Sequence, residues 1–236
     1  MPEDRPNALE IDDLEYVYPG GRGGARVRSL VVGAGERVLL VGGSGSGKST
    51  LLHLIAGLID PQRGTVRIGG QDLHALRGAR RDTFRGRHIG VVFQSFHLLR
   101  GFSAIENVMA GMMFGTRPRG EHRTRAAALL DELGISEHDA DAEELSVGQR
   151  QRVAVARALA CEPTLVLADE PTASLDPANA SGAVELLQSV CAQHDAALVC
   201  VSHDPAMEAR FGRVERLEDL ASAKAAAAVG ETGGAG

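Results

Sequence analysis

The sequence predicts an α/β fold: a parallel-sheet core, an antiparallel β lobe at the start, and an inserted helical lobe at about residues 95–160. Three observations carry this. Arg37 to Val41 (RVLLV) is a compact apolar run of buried-strand type that passes through a Gly-rich loop into a helix-periodic segment. Leu165 to Ala168 and Ala197 to Val201 repeat the buried-strand pattern on either side of a helical stretch, Pro177 to Gln193. Strands alternating with helices imply parallel pairing. The opening third instead has short runs broken by glycine turns.

In chain order, Leu9 to Tyr18 and Val27 to Val32 read as strands separated by PGGRGG. After the apolar run, KSTLLHLIAGL has helical spacing, and DPQRGTVRIGG reads as a turn and a further strand. Ser103 and Glu106 have the spacing of a capping box, which predicts a helix start. Arg123 to Leu133 is a second helix closed by Gly134 at a C-cap position. Residues 1–220 are expected to form one domain. From Ala221 the chain reads ASAKAAAAVGETGGAG, a tail expected to be disordered.

The chain has 236 residues, 44% of them hydrophobic, enough for a substantial core. A formal net charge of −6 argues against a nucleic-acid partner, which needs a basic surface. Cys161, Cys191 and Cys200 form no CxxC pair and fit a reducing compartment. The acidic start MPEDRPNALEIDD has no apolar h-region, so no export signal is expected. No window approaches the roughly 20 apolar residues of a membrane span. Any membrane role is therefore expected to be peripheral and to depend on a partner.

The chemistry begins at Gly42-Gly43-Ser44-Gly45-Ser46-Gly47-Lys48-Ser49, which satisfies G-x-x-x-x-G-K-[ST] in full. Glycines let the loop wrap phosphates without Cβ clashes. Backbone amides and the following helix N-terminus supply positive dipole ends. Lys48 is placed to reach the β- and γ-phosphates, and Ser49 to ligate Mg²⁺. Leu165 to Glu170 (LVLADE) is a buried strand ending in two acids: Asp169 for the Mg²⁺ shell, and Glu170 to polarise an attacking water. Leu145 to Gln149 (LSVGQ) opens the amphipathic run RQRVAVARALA, in which Arg150, Arg152 and Arg157 are interleaved. Its Ser-x-Gly is a second preformed anion site. One nucleotide does not need two within a subunit, so this one fits the γ-phosphate bound by a second copy.

In this order the motifs resemble those of the ABC-transporter nucleotide-binding domains over about residues 9 to 218. The resemblance implies a P-loop NTPase with a RecA-like core. It also implies that Tyr18 stacks on adenine, although Tyr16 lies nearby, and that Thr50 extends the ATP loop. Gln94 in VVFQSFHLL matches the Q-loop glutamine that senses Mg²⁺ and the membrane partner. LSVGQ resembles the LSGGQ signature, which implies that Ser146, Gly148 and Gln149 contact ATP. Ser174-Leu175-Asp176 resembles the D-loop, with Asp176 at the nucleotide. His203 in VSHD resembles the switch histidine at the γ-phosphate. Val147 departs from the family by replacing the signature's central glycine, with a more restricted φ. His53, His88, His97 and His194 belong to no constellation and read as structural or exposed.

The mechanism that the resemblance implies has ATP and Mg²⁺ (held by Ser49, Gln94 and Asp169) glued between two copies of the chain. Glu170 is general base, and His203 and Lys48 complete the catalytic set. Membrane permease subunits dock around Gln94 and residues 96–115, at the cytoplasmic face of the inner membrane. FRGRHIGVVFQSFHLL followed by FSAIENV is most similar to the lipoprotein-release and macrolide-export group of exporters. A DNA-repair member would need a long coiled coil between Lys48 and Ser146, and a translation factor two cassettes. A small-molecule kinase leaves LSVGQ and His203 unexplained. A regulatory, non-transporting ATPase that signals through a membrane partner remains the alternative, since it needs the same Lys48, Asp169 and Glu170.

Overall fold

The computed structural model describes residues 5–21, 23–173 and 177–222. Two sheets organise it. An antiparallel sheet has the order β2-β1-β4-β5, formed by β1 (Leu9–Val17), β2 (Gly24–Val32), β4 (Arg63–Ile68) and the short β5 (Gln71–Asp72). A five-stranded sheet has the order β6-β7-β8-β3-β9. Its strands are β3 (Arg37–Val41), β6 (Ile89–Val92), β7 (Leu165–Asp169), β8 (Ala197–Ser202) and β9 (Arg213–Arg216), all parallel. The helices are α1 (Lys48–Ile55), α2 (Ala79–His88), α3 (Ala104–Gly111), α4 (His122–Glu132), α5 (Val147–Leu159), α6 (Pro177–Gln193) and α7 (Leu217–Ala221).

The parallel strands are apolar throughout because both faces are covered. Successive side chains point to opposite faces. Leu39, Val166, Ala168, Leu198 and Cys200 therefore join a core shared with α3 to α6, while Val38, Leu40, Leu165, Leu167 and Val199 join one shared with α1 and the antiparallel sheet. Each fully buried leucine contributes about 2 kcal/mol by leaving water. The helical lobe thus shares one core with the sheet, which fixes α5 relative to the strand ends.

The capping box of Ser103 and Glu106 forms as expected. Helix α4 ends at Glu132, with Leu133 as C-cap and Gly134 at φ +70. The amides of Gly134 and Ile135 then donate to the carbonyls of Asp131 and Leu130, a Schellman closure. β1 stops at Val17, one residue short of the expected bound. Five elements, α2, β5, β6, β9 and α7, go beyond those expected from the sequence. Asp176 and the rest of Ser174–Asp176, like residues 223–236 of the tail, lie outside the described residues.

Candidate active site

The carboxyl ends of β3, β7, β8 and β6 lie side by side, the place where parallel α/β sheets bind ligands. Register sets the neighbours. Val41 pairs with Ser202, Asp169 with Val201, and Val92 with Ala168. The phosphate-type loop leaves β3, Asp169 and Glu170 close β7, His203 follows β8, and Gln94 sits two residues beyond β6.

The loop is built for close approach. A Cβ at Gly47 (φ +97) would meet the Gly24 carbonyl at 2.0 Å, so both conformation and space demand glycine there. Gly42, Gly43, Ser44 and Gly45 complete the bend, and the amide of Ser46 donates to the Gly43 carbonyl at 3.2 Å. Helix α1 has no side-chain cap at Gly47, which leaves its first amides to face an anion. Ser46 Oγ is buried without a hydrogen-bond partner among the described residues. Lys48 is buried, and its Nζ donates to the carbonyls of Gly42 (2.8 Å) and Gly43 (2.9 Å), which holds the charge over the loop.

Ser49 Oγ donates to Asp169 Oδ1 at 3.4 Å. Burial pushes the Asp169 carboxyl above its ordinary value; the Ser49 hydrogen bond opposes this and the Glu170 charge adds to it. These are hard oxygen donors, the set Mg²⁺ takes when substrate phosphates and water complete its shell. Among the described residues there is no cluster of three His, Cys, Asp or Glu that could hold a metal. Glu170 takes a left-handed φ of +47, unusual for a side-chain-bearing residue. Its carboxylate accepts from His203 Nδ1 (2.7 Å), Ser202 Oγ (3.2 Å) and the His203 amide (3.4 Å).

The sequence profile described as ABC transporter matches residues 26–173, well over half of the chain. The chain belongs to the ABC transporter family. Among its relatives, the lipoprotein-releasing system ATP-binding protein LolD of Chromohalobacter salexigens is 47% identical over 216 residues, 89% of this chain and 90% of that protein. LolD of Geobacter metallireducens is 42% identical over 217 residues, 89% of this chain and 96% of its own. Among solved structures, a dimeric ATP-binding cassette in a post-hydrolysis state, bound to ADP and Pi, superposes with a TM-score of 0.74 at 31% identity, covering 88% of this chain and 93% of that one.

The LSVGQ segment opens α5. Ser146 is the N-cap of α5, its side chain accepting from the Gln149 amide at 3.2 Å while Gln149 bonds back to the Ser146 amide at 2.9 Å. Val147 is the first residue of α5 and is not among the residues with positive φ, so the site asks for no glycine there. Among the described residues no hydrogen bond joins Ser146, Gly148 or Gln149 to the phosphate loop. Tyr18 packs edge-on to Tyr16, with its hydroxyl 3.4 Å from Thr50 Oγ1. Tyr16 instead lines a cleft of about 670 Å³ with Gly43 to Ser46, Leu217 and Glu218. Tyr16 thus borders the phosphate loop, and Tyr18 the first turn of α1.

His88 bonds Thr164 Oγ1 (3.1 Å), His97 packs on Phe93, and His194 meets Glu132 (3.1 Å), all structural roles. Ser202, which holds Glu170, is invisible in the sequence because a strand-ending serine carries no pattern of its own. Gln151, whose Nε2 reaches the Pro171 carbonyl at 3.3 Å, is likewise hidden within the α5 periodicity.

Proposed function

We propose that this chain is the ATP-binding and hydrolysing subunit of an ABC transporter of the lipoprotein-releasing type. It works as a pair of copies closed around two ATP molecules and acts on separate membrane subunits. The observation that carries the proposal is the convergence of Lys48, the Ser49–Asp169 pair and the Glu170–His203 pair at one sheet edge. The LolD relatives, whose names specify lipoprotein release, support the cargo class.

Loop amides, Ser46, Thr50 and Lys48 bind the phosphates, and Tyr18 stacks on the base. Ser49, Asp169 and Gln94 would hold Mg²⁺, which would supply positive charge against the charge developing on the phosphates. Glu170 accepts the proton of the attacking water as the water oxygen bonds the γ-phosphorus and the bond to ADP breaks. His203, held through Nδ1 by Glu170, donates from Nε2 to the γ-phosphate when the ring carries both protons. Ser146, Gly148 and Gln149 of the second copy close the site from the far side. No helix among the described residues is long and apolar enough to cross a membrane. On the proposed reading, the chain meets the cytoplasmic face of the inner membrane through its membrane partners.

The test compares Mg²⁺-dependent ATP turnover of wild type and Glu170→Gln, with size-exclusion chromatography in ATP. Turnover in wild type, and a silent variant trapped as a dimer, is the expected result. Binding without hydrolysis in both, even with membrane subunits present, would instead favour the regulatory reading.

A further inference from the structure

Arg157 lies in the last turn of α5, at the opposite end from Ser146. Its guanidinium crosses to the segment after β6 and donates to two consecutive carbonyls, Phe96 (Nη2, 2.6 Å) and His97 (Nη1, 2.6 Å). Among the described residues no carboxylate pairs with it. Burial even pushes its pKa below the ordinary value. A partly buried cation without a counter-ion is unfavourable unless its hydrogen bonds are made. The segment it grips explains what the arrangement does.

Phe96 and His97 are side-chain-bearing residues in succession at φ +59 and +47. Each carries the steric penalty of Cβ in the left-handed region. The turn ahead of them is tight: the Phe96 amide donates to the Phe93 carbonyl (2.9 Å) and the His97 amide to the Ser95 carbonyl (2.6 Å). Gln94 and Ser95 are the two central residues of the first of these turns. Two glycines let α5 come close enough for the grip. A Cβ at Gly111 of α3 would meet the Arg157 carbonyl at 2.6 Å, and one at Gly90 of β6 the Ala158 carbonyl at 2.3 Å.

We infer that Arg157 is a positioning residue that fastens the turn carrying Gln94 to the helix whose other end carries Ser146 and Gly148. The strained turn is held by the fork of one guanidinium, whose two parallel donors match two adjacent carbonyls as a lysine ammonium does not. Any displacement of α5 then carries Gln94 with it. This rests on the proposed role of Gln94 at the nucleotide-bound Mg²⁺.

The test uses the full chain as wild type, Arg157→Met, Arg157→Lys, and Arg157→Met combined with His97→Gly. Two quantities are read: the Mg²⁺ concentration for half-maximal ATP turnover, and hydrogen exchange of the Phe96 and His97 amides. Arg157→Met should raise the Mg²⁺ requirement about tenfold, as loss of an outer-shell support does. Exchange at the two amides should rise by about tenfold or more. Lysine should fall between, and His97→Gly, which removes one Cβ from the left-handed region, should recover part of both effects. A folded Arg157→Met with unchanged exchange and Mg²⁺ requirement overturns the inference, as does lower thermal stability alone with both unchanged. If the methionine variant does not fold, the same comparison is made on Arg157→Lys with and without His97→Gly. If wild type shows no Mg²⁺-dependent turnover, the functional reading fails, and the exchange data still decide whether Arg157 holds the turn.

Discussion

His203 Nδ1 lies 2.7 Å from Glu170 Oε1, a contact between residues 33 positions apart that exists because β7 and β8 are neighbours in the sheet. It fixes which ring nitrogen is committed: Nδ1 donates to the carboxylate, and Nε2 can donate to a phosphate oxygen only when the ring carries both protons. The same carboxylate is steadied by Ser202 Oγ, so the orientation of Glu170 is set by the end of β8. His203→Ala should lower ATP turnover about 10²-fold or more, in the range for loss of a positioned acid–base partner, with nucleotide affinity little changed. A fall of less than about threefold would mark the contact as packing.

Asp169 gives a pH-dependent stability effect whose sign follows from its raised pKa. The folded chain keeps this proton to a higher pH than the unfolded chain does. Between the ordinary aspartate value of 3.8 and the raised one, the folded state binds more protons, so stability falls as pH rises through that window. Asp169→Asn removes the effect. Without Mg²⁺ it should melt above wild type near neutral pH, and the difference should shrink as pH falls toward the ordinary carboxylate range. Adding Mg²⁺ with nucleotide should stabilise wild type more than the variant. Parallel calorimetric melts across the range decide it.

Val147 is exposed (39%) in the first turn of α5, where its backbone is helical. The glycine that the family places here is therefore not required for conformation, and Val147→Gly should leave turnover within about threefold while lowering stability by no more than about 1 kcal/mol. Ser146 separates capping from chemistry. Ser146→Gly removes the hydroxyl at a cost of a few tenths of a kcal/mol as a cap. If the hydroxyl meets the partner's nucleotide, turnover should nevertheless fall about tenfold or more. Equal turnover in Ser146→Gly and wild type would confine Ser146 to the cap.

The placement of the candidate residues was legible because each motif ends a buried strand or opens a helix, and those transitions leave a local mark. RVLLV, LVLAD and ALVCVS are dense apolar runs, and the strand ends they define are where Lys48, Glu170 and His203 are expected. What escaped is what carries no periodicity. Helix α2 (ARRDTFRGRH) has no buried residue, so it presents no apolar stripe to read. Strand β9 is RVER, with both arginines and the glutamate in strand positions because it is an edge pairing only with β3. Strand β6 has only four residues and merges with the loop after it. Asn107, fully buried within α3, holds the backbone of Leu99, Phe102 and Ser103 through its amide, a role that helical spacing alone cannot announce.

The segment expected to meet the membrane subunits, residues 96–115, carries large apolar side chains that the fold leaves in water. Met113 and Phe114 are 64% and 61% exposed, with Leu58, Leu99 and Phe102 also exposed. Phe114 lines a groove with Leu58, Asp82, Arg85, Ile89 and Phe93, between the end of α1, helix α2 and the exit of α3. An exposed apolar patch next to polar residues is the ordinary mark of a protein contact. Phe114→Asp places a charge in that groove, where burial against a partner would leave it unpaired. Co-purification with the membrane subunits should therefore fall about tenfold or more, the size expected when a central aromatic anchor is lost. Phe114→Tyr, which keeps the ring, should retain most of the binding. If Phe114→Asp co-purifies as wild type does, the membrane subunits dock elsewhere and this groove is not their seat.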